Sequence, residues 1–75
     1  MESPFLLRIV DEPEYGPRVV HNHYLRGPVD SLRLREVVYH ATLEHQSAHV
    51  YMLDCHGSEL CVASCYEDML PQVFA

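Results

Sequence analysis

Residues 36–63 decide the predicted fold, and they read EVVYHATLEHQSAHVYMLDCHGSELCVA. Over residues 36–43, apolar side chains alternate with mostly polar ones, which is the period of a strand with one buried face. Residues 49–53 and 59–63 predict two further strands. The sequence DCHG at residues 54–57 predicts a tight turn between them, because aspartate favours the first position and glycine accepts positive φ. The stretch therefore predicts a three-stranded antiparallel meander.

The chain before this stretch predicts two more strands, over residues 5–10 and 18–24. Two prolines and a glycine lie between them and indicate a loop. Residues 30–35 fit either a single helical turn capped by Ser31 or a turn that leads into the next strand. We interpret them as the turn.

The chain after this stretch predicts a short C-terminal helix. Ser64 and Glu67 have the spacing of a capping box, and the apolar residues that follow recur at helical spacing. Pro71 ends or kinks this helix near Leu70. The whole pattern predicts one α+β domain over residues 1–75, with a mostly antiparallel sheet of about five strands and one short C-terminal helix. A small open β-barrel is the alternative.

Length and composition limit the class of protein. A chain of 75 residues has room for one core, and domains of this size have a net stability of roughly 3–5 kcal/mol. No apolar run approaches the roughly 20 residues of a membrane helix, and no basic segment of a signal peptide begins the chain. Three cysteines within a short stretch do not resemble a secreted disulfide framework. We therefore expect a soluble cytoplasmic domain that does not bind membranes.

The cysteines and histidines raise the question of a metal site. Five residues separate Cys55 from Cys61 and three separate Cys61 from Cys65, so the three cysteines do not form the paired knuckles of a structural zinc site. Cys61 also lies mid-strand between apolar neighbours, where cysteine is commonly a small core residue, so we expect no metal and no cofactor. His21 and His23 lie two apart on a predicted strand and share a face, and we interpret them as solvent-facing. A metal-stabilised or redox-responsive module remains an alternative. No catalytic motif occurs, which indicates that the chain is not an enzyme.

Charge is distributed unevenly along the chain. Residues 1–35 hold all five arginines and five acids, whereas residues 36–75 hold six acids and no lysine or arginine, so the net charge of −6 belongs to the second half. Such a surface repels nucleic acid and attracts basic partners. The arginines of the first half, with Tyr15 and Tyr24, suggest nucleic-acid binding as an alternative, although the interleaved acids argue against direct contact.

These observations predict a small acidic protein-binding regulator or inhibitor. It would dock on a basic surface of a larger host or cellular protein, for example a nucleic-acid-handling one such as RNA polymerase or a defence complex. Size, acidity and the lack of a catalytic motif resemble small accessory inhibitors such as phage-encoded proteins, and that resemblance implies a role in regulating a host complex. A homodimer is a further alternative. The predicted partner-binding residues are Glu44, Asp54, Glu59, Glu67, Asp68 and Phe74.

Overall fold

Five strands form one open antiparallel sheet in the computed structural model, which describes residues 4–74. The elements are β1 (Phe5–Asp11), β2 (Val19–Tyr24), α1 (Ser31–Ala41), β3 (Ser47–Leu53), β4 (Glu59–Tyr66) and β5 (Gln72–Val73). The strand order across the sheet is β2-β1-β3-β4-β5, and all neighbours are antiparallel. The predicted α+β class, with about five strands and one short helix, is confirmed. The sheet stays open at β2 and β5, so the alternative barrel does not form.

The helix lies in the middle of the chain, so the predicted strand over residues 36–43 is wrong. Leu34 and Val38 are both buried against the sheet, and Val37 and Ala41 pack beside them. These four residues have the 3–4 spacing of one helical face. Val37 and Ala41 also satisfy strand alternation because a step of four residues fits both periods, so the sequence of this short segment predicts a strand as well as a helix.

Asp30 caps the helix. Its side chain accepts a hydrogen bond from the Arg33 backbone N–H at 2.8 Å, so Ser31 is the first helical residue and not the cap. The helix ends at Thr42, whose hydroxyl donates to the Tyr39 carbonyl at 3.0 Å. A side chain that satisfies one of the last helical carbonyls stabilises this end.

The predicted C-terminal helix is also wrong, because β4 continues through Ser64 to Tyr66. Ser64 pairs with His49 of β3 on one side and with Gln72 of β5 on the other. Cys65 is buried in the core. Backbone pairing on two sides and burial of apolar side chains outweigh the local capping signal, which is worth about 1 kcal/mol.

The other predicted strands are confirmed as β1 to β4, with β3 beginning earlier, at Ser47, and β4 ending later than expected. The predicted turn at residues 54–57 is confirmed as well. Gly57 has a φ of +83° and donates its N–H to the Asp54 carbonyl at 3.1 Å. Glycine adopts this backbone conformation without steric strain. Within residues 4–74, no helix is long and apolar enough to cross a bilayer.

The two faces of the sheet differ. One face packs against α1 and forms the core, which we call the helix-covered face. Its buried residues include Leu7, Ile9, Ala48, Val50, Val62, Ala63 and Cys65. The other face, which we call the open face, lacks a helix. Strand register places Arg8, Asn22, His49, Tyr51, Glu59 and Tyr66 on it.

Candidate functional site

Three connections lie at one end of the sheet, which follows from the directions of the strands. They are residues 12–18 between β1 and β2, residues 42–46 between α1 and β3, and residues 67–71 between β4 and β5. Val10 pairs with Ser47, and Ser47 pairs with Tyr66, so the end of β1, the start of β3 and the end of β4 are neighbours. The topology thus brings together segments that are far apart in sequence.

Carboxylates are concentrated in and beside these connections. We call this region the acidic end, and it comprises Asp11, Glu12, Glu14, Glu44, Glu67 and Asp68. Arg18 is the one arginine in the three connections, and its Nε lies 3.6 Å from Glu12 Oε1. Both side chains are mostly exposed, and exposed ion pairs of this kind are weak. The acidic end therefore keeps a strong excess of negative charge.

Gln46 fixes the three connections relative to one another. Its backbone N–H donates to Asp11 Oδ1 at 2.9 Å, and its carbonyl accepts from the Glu67 N–H at 3.0 Å. Its side-chain amide makes two hydrogen bonds with the Glu12 backbone. The Oε1 atom accepts from the Glu12 N–H at 2.6 Å, and Nε2 donates to the Glu12 carbonyl at 3.1 Å. One glutamine thereby joins all three acidic segments.

His45 supports the same arrangement through Asp11. Its Nδ1 lies 2.6 Å from Asp11 Oδ2. The pKa of Asp11 is below its ordinary value, first because of the hydrogen bond with His45 and then because of the backbone N–H of Gln46. Asp11 therefore stays ionised to more acidic pH than a free aspartate. The His21 ring lies beside this pair, with its centroid 6.5 Å from that of His45.

The structure brings together three of the six predicted partner-binding residues. Glu44, Glu67 and Asp68 are all exposed at the acidic end, although Glu67 and Asp68 lie in a turn after β4 and not on a helix. Asp54 lies at the opposite end of the sheet, in the turn between β3 and β4. Its Oδ1 accepts the backbone N–H groups of His56 and Ser58, each at 2.8 Å, so Asp54 shapes the turn.

Glu59 and Phe74 lie elsewhere. The Glu59 carboxylate accepts two hydrogen bonds from Arg8, at 2.7 and 3.3 Å, so an arginine of the first half compensates its charge. Phe74 is 59% exposed and lines a groove of about 490 Å³ near the start of α1. The groove is largely apolar, and its lining includes Val29, Leu34, Met52 and Leu60.

Local sequence patterns do not identify Asp11, Glu12 and Glu14 as members of the acidic end. These acids lie in a first half of the chain that is neutral because it also holds five arginines. The acids lie at and just after the end of β1, whereas most of the arginines lie elsewhere in the fold. The pairing of β1 with β3 is the signal that unites the acids, and it joins residues that are about 40 positions apart.

Arg8 organises the open face. Its Nε donates to Asn22 Oδ1 at 2.9 Å, and its guanidinium carbon lies 4.8 Å from the centroid of the Tyr51 ring. The hydrogen bonds to Glu59 raise the pKa of Arg8 above its ordinary value. Partial burial, and then the charge of Arg8, lower the pKa of His49. Arg8 is thus engaged within the chain and is not available for a phosphate.

The five arginines of the first half are distributed over several elements of the fold. Arg8 lies on the open face, Arg18 and Tyr15 lie in the β1–β2 connection, and Arg26 follows β2 at the opposite end. The two remaining arginines lie on the exposed surface of α1. This dispersal weakens the nucleic-acid alternative because such binding needs several cations along one surface.

The cysteines occupy three different environments. Cys55 is exposed in a turn, Cys61 is half-buried in β4, and Cys65 is buried with its Sγ 3.2 Å from Thr42 Oγ1. Among residues 4–74, no three histidines, cysteines or acids are arranged to hold a metal within one chain. His21 and His23 share one face of β2, as predicted, and both are exposed with ring centroids 6.4 Å apart.

A scan against protein-family models, a search of curated proteins and a search of solved structures each gave no match.

Proposed function

We propose that the chain is a small regulator or inhibitor that docks its acidic end on a basic surface of a larger protein. The observation that carries this proposal is the hydrogen bonding of Gln46, which joins its own connection to Asp11 and Glu12 on one side and to Glu67 on the other. The six carboxylates lie in and beside these three connections. A protein that handles nucleic acid is the favoured partner, because a surface that binds phosphates also complements closely spaced carboxylates.

The rigidity of the acidic end supports docking over a purely solubilising role. Acids that only keep a small domain soluble need no fixed geometry. Here Gln46 holds the backbone at Glu12 and at Glu67, so these two segments need less ordering on binding and less backbone entropy is lost. The negative field of the acidic end also accelerates association with a basic partner, and this effect weakens as salt rises.

Capture of the partner from the native cell, followed by mass spectrometry, provides the material for a test. Association is then measured at low and at physiological salt for the variant Glu44→Lys/Glu67→Lys. We expect the association rate to fall by about tenfold or more at low salt, with a smaller change in dissociation. Glu36→Lys is the matched control because Glu36 is an exposed acid on α1, outside the acidic end. Equal effects of the variant and the control would contradict docking through the acidic end.

Gln46→Ala separates geometry from charge. This substitution removes the two hydrogen bonds between the Gln46 side-chain amide and the Glu12 backbone, and it leaves every carboxylate in place. We expect faster dissociation from the partner, because the connections must be ordered on binding. Unchanged dissociation in a variant whose fold is intact by circular dichroism would show that the fixed arrangement of the loops is not used.

A further inference from the structure

β2 is an edge strand that lacks the features that usually prevent pairing with a strand of another chain. Its six residues, Val19–Tyr24, are all exposed and pair with β1 on one side. Natural edge strands are blocked by charged side chains, proline, bulges or short length. The sequence VVHNHY contains no charged residue and no proline, and its register with β1 is continuous. By contrast, the other edge strand, β5, is only two residues long and follows Pro71.

The hydrogen-bonding phase of β2 identifies which backbone groups point outward. Leu25 donates its N–H to the Phe5 carbonyl at 3.0 Å, so Leu25 faces β1. Along an antiparallel ladder, every second residue of a strand directs its N–H and C=O groups at the same neighbouring strand. His23 and His21, which lie two and four residues before Leu25, therefore also direct their backbone groups at β1. Val20 and Asn22 direct their N–H and C=O groups away from the sheet.

A second copy of this chain matches that edge. The strand has no charge, so two chains of net charge −6 meet least repulsion there. In antiparallel pairing with its two-fold axis at Asn22, Val20 lies opposite Tyr24 of the second copy. These side chains are 42% and 54% exposed in the single chain, and the pairing covers both.

The same register brings four imidazoles together. His21 lies opposite His23 of the second copy in a non-hydrogen-bonded pair, the arrangement in which cross-strand side chains are closest. Within one chain the two rings are already stacked, with an interplanar angle of 21°. Because His21 and His23 pair with Ile9 and Leu7, their side chains lie on the helix-covered side of the sheet, at its edge, where α1 does not contact β2 and both rings are exposed. Two copies thus form a square of histidines beside the helices.

We propose that β2 pairs with β2 of a second copy about Asn22, and that His21 and His23 of both copies form a transition-metal site. Imidazole suits zinc, and four nitrogen ligands match its tetrahedral preference. The second copy completes the site, because no three potential ligands in the described part of one chain are arranged around a metal. The site shares no residue with the acidic end, so this inference does not rest on the proposed function.

Sedimentation velocity of the full chain, titrated with zinc chloride, tests the proposal. We expect one zinc per two chains and dimerisation at least about tenfold tighter than in chelator. His21→Ala and His23→Ala should each abolish this enhancement. His56→Ala is the matched control because His56 is an exposed histidine in the turn between β3 and β4. Zinc that leaves the chain monomeric, or a dimer that depends on His56, would overturn the proposal.

Two further measurements test the strand pairing and the ligands. Val20→Lys/Tyr24→Lys places lysines opposite each other across the two-fold axis, and we expect a folded monomer with or without zinc. Dimerisation of this variant would refute pairing through β2. Cobalt substituted for zinc reports the ligands, since histidine sites lack the near-ultraviolet charge-transfer band of thiolate sites. A thiolate band would assign the metal to cysteines and refute the histidine site.

Discussion

The helix-covered face and the open face belong to the same sheet, but they hold their side chains by different means. On the helix-covered face, residues such as Val50 and Ala63 are fully buried and pack against α1. On the open face, Arg8 connects Asn22, Tyr51 and Glu59 through polar contacts at a partly exposed surface. Burial of one aliphatic side chain contributes about 1.5–3 kcal/mol, whereas an exposed ion pair contributes about 0–1 kcal/mol. Most of the buried apolar side chains therefore stabilise the domain from the helix-covered face, although Leu6 and Val10 are buried on the open face as well. The polar contacts around Arg8 contribute comparatively little.

The largest effect is expected at the centre of the helix-covered face. Leu34 is 3% exposed, and Leu34→Ala should lower the free energy of unfolding by about 2–5 kcal/mol, because it leaves a cavity beneath α1. Urea denaturation followed by circular dichroism measures this loss. Leu32→Ala, on the same helix but at a residue that is 62% exposed, should change it by less than about 0.5 kcal/mol. Similar losses for the two variants would mean that the helix packs with another face.

A smaller effect is expected where the covering helix begins. Asp30→Ala should lower the free energy of unfolding by about 0.5–2 kcal/mol, since it removes the hydrogen bond to the Arg33 N–H. Ser31→Ala is the control, because Ser31 is the first helical residue and not the cap. Thermal melts of both variants provide the comparison. A greater loss of stability in Ser31→Ala than in Asp30→Ala would show that Ser31 is the capping residue.

The open face should respond weakly to the loss of its ion pair. A double-mutant cycle with Arg8→Gln and Glu59→Gln should give a coupling free energy of about 0.2–1 kcal/mol. Both side chains are roughly one-third exposed, at 27% and 36%, which limits the strength of the bidentate contact. A coupling well above 2 kcal/mol, measured by urea denaturation, would show that the open face stabilises the fold as strongly as burial does.

The smallest effect is expected from His49 and depends on pH. Its pKa is lowered in the folded chain, so the folded state binds a proton less readily than the unfolded state does. Stability should therefore fall as pH decreases from the ordinary histidine pKa of about 6.5 through the folded value, and then level off. Urea midpoints between pH 8 and 5 measure the slope, and His49→Gln should reduce it. An unchanged slope in that variant would assign the dependence to another group.

Local patterns in the sequence predict most strands but misplace the helix. Segments such as residues 5–10 and 59–63 are short, apolar and bounded by turns, so their strand character is visible without the fold. Residues 36–43 fit both periods, and the burial of Leu34 and Val38 decides for a helix. At Ser64, a weak local signal meets strand pairing with two neighbours, and the pairing prevails. Tertiary contacts determine both outcomes.

The candidate site was predictable to the extent that it depends on turns. Glu44 and Glu67 lie in short polar segments, and such segments are exposed whatever the fold. Grouping them with Glu12 requires the order of the strands, which local patterns do not contain. The compensation of Glu59 by Arg8 joins residues 51 positions apart, and it too follows only from strand order.

The position of β1 in the sheet has a consequence for folding kinetics. β1 is the first strand of the chain but lies between β2 and β3, so one of its sides pairs with residues that come much later. Such non-local pairing slows folding, typically to milliseconds or longer for chains rich in it. During synthesis, about 29 residues separate the end of β2 from the end of β3, which corresponds to roughly 1.5–6 s at ribosomal rates. For that interval Leu7 and Ile9 lack their β3 neighbours Val50 and Ala48, so part of their apolar surface stays uncovered and a nascent-chain chaperone has time to bind it.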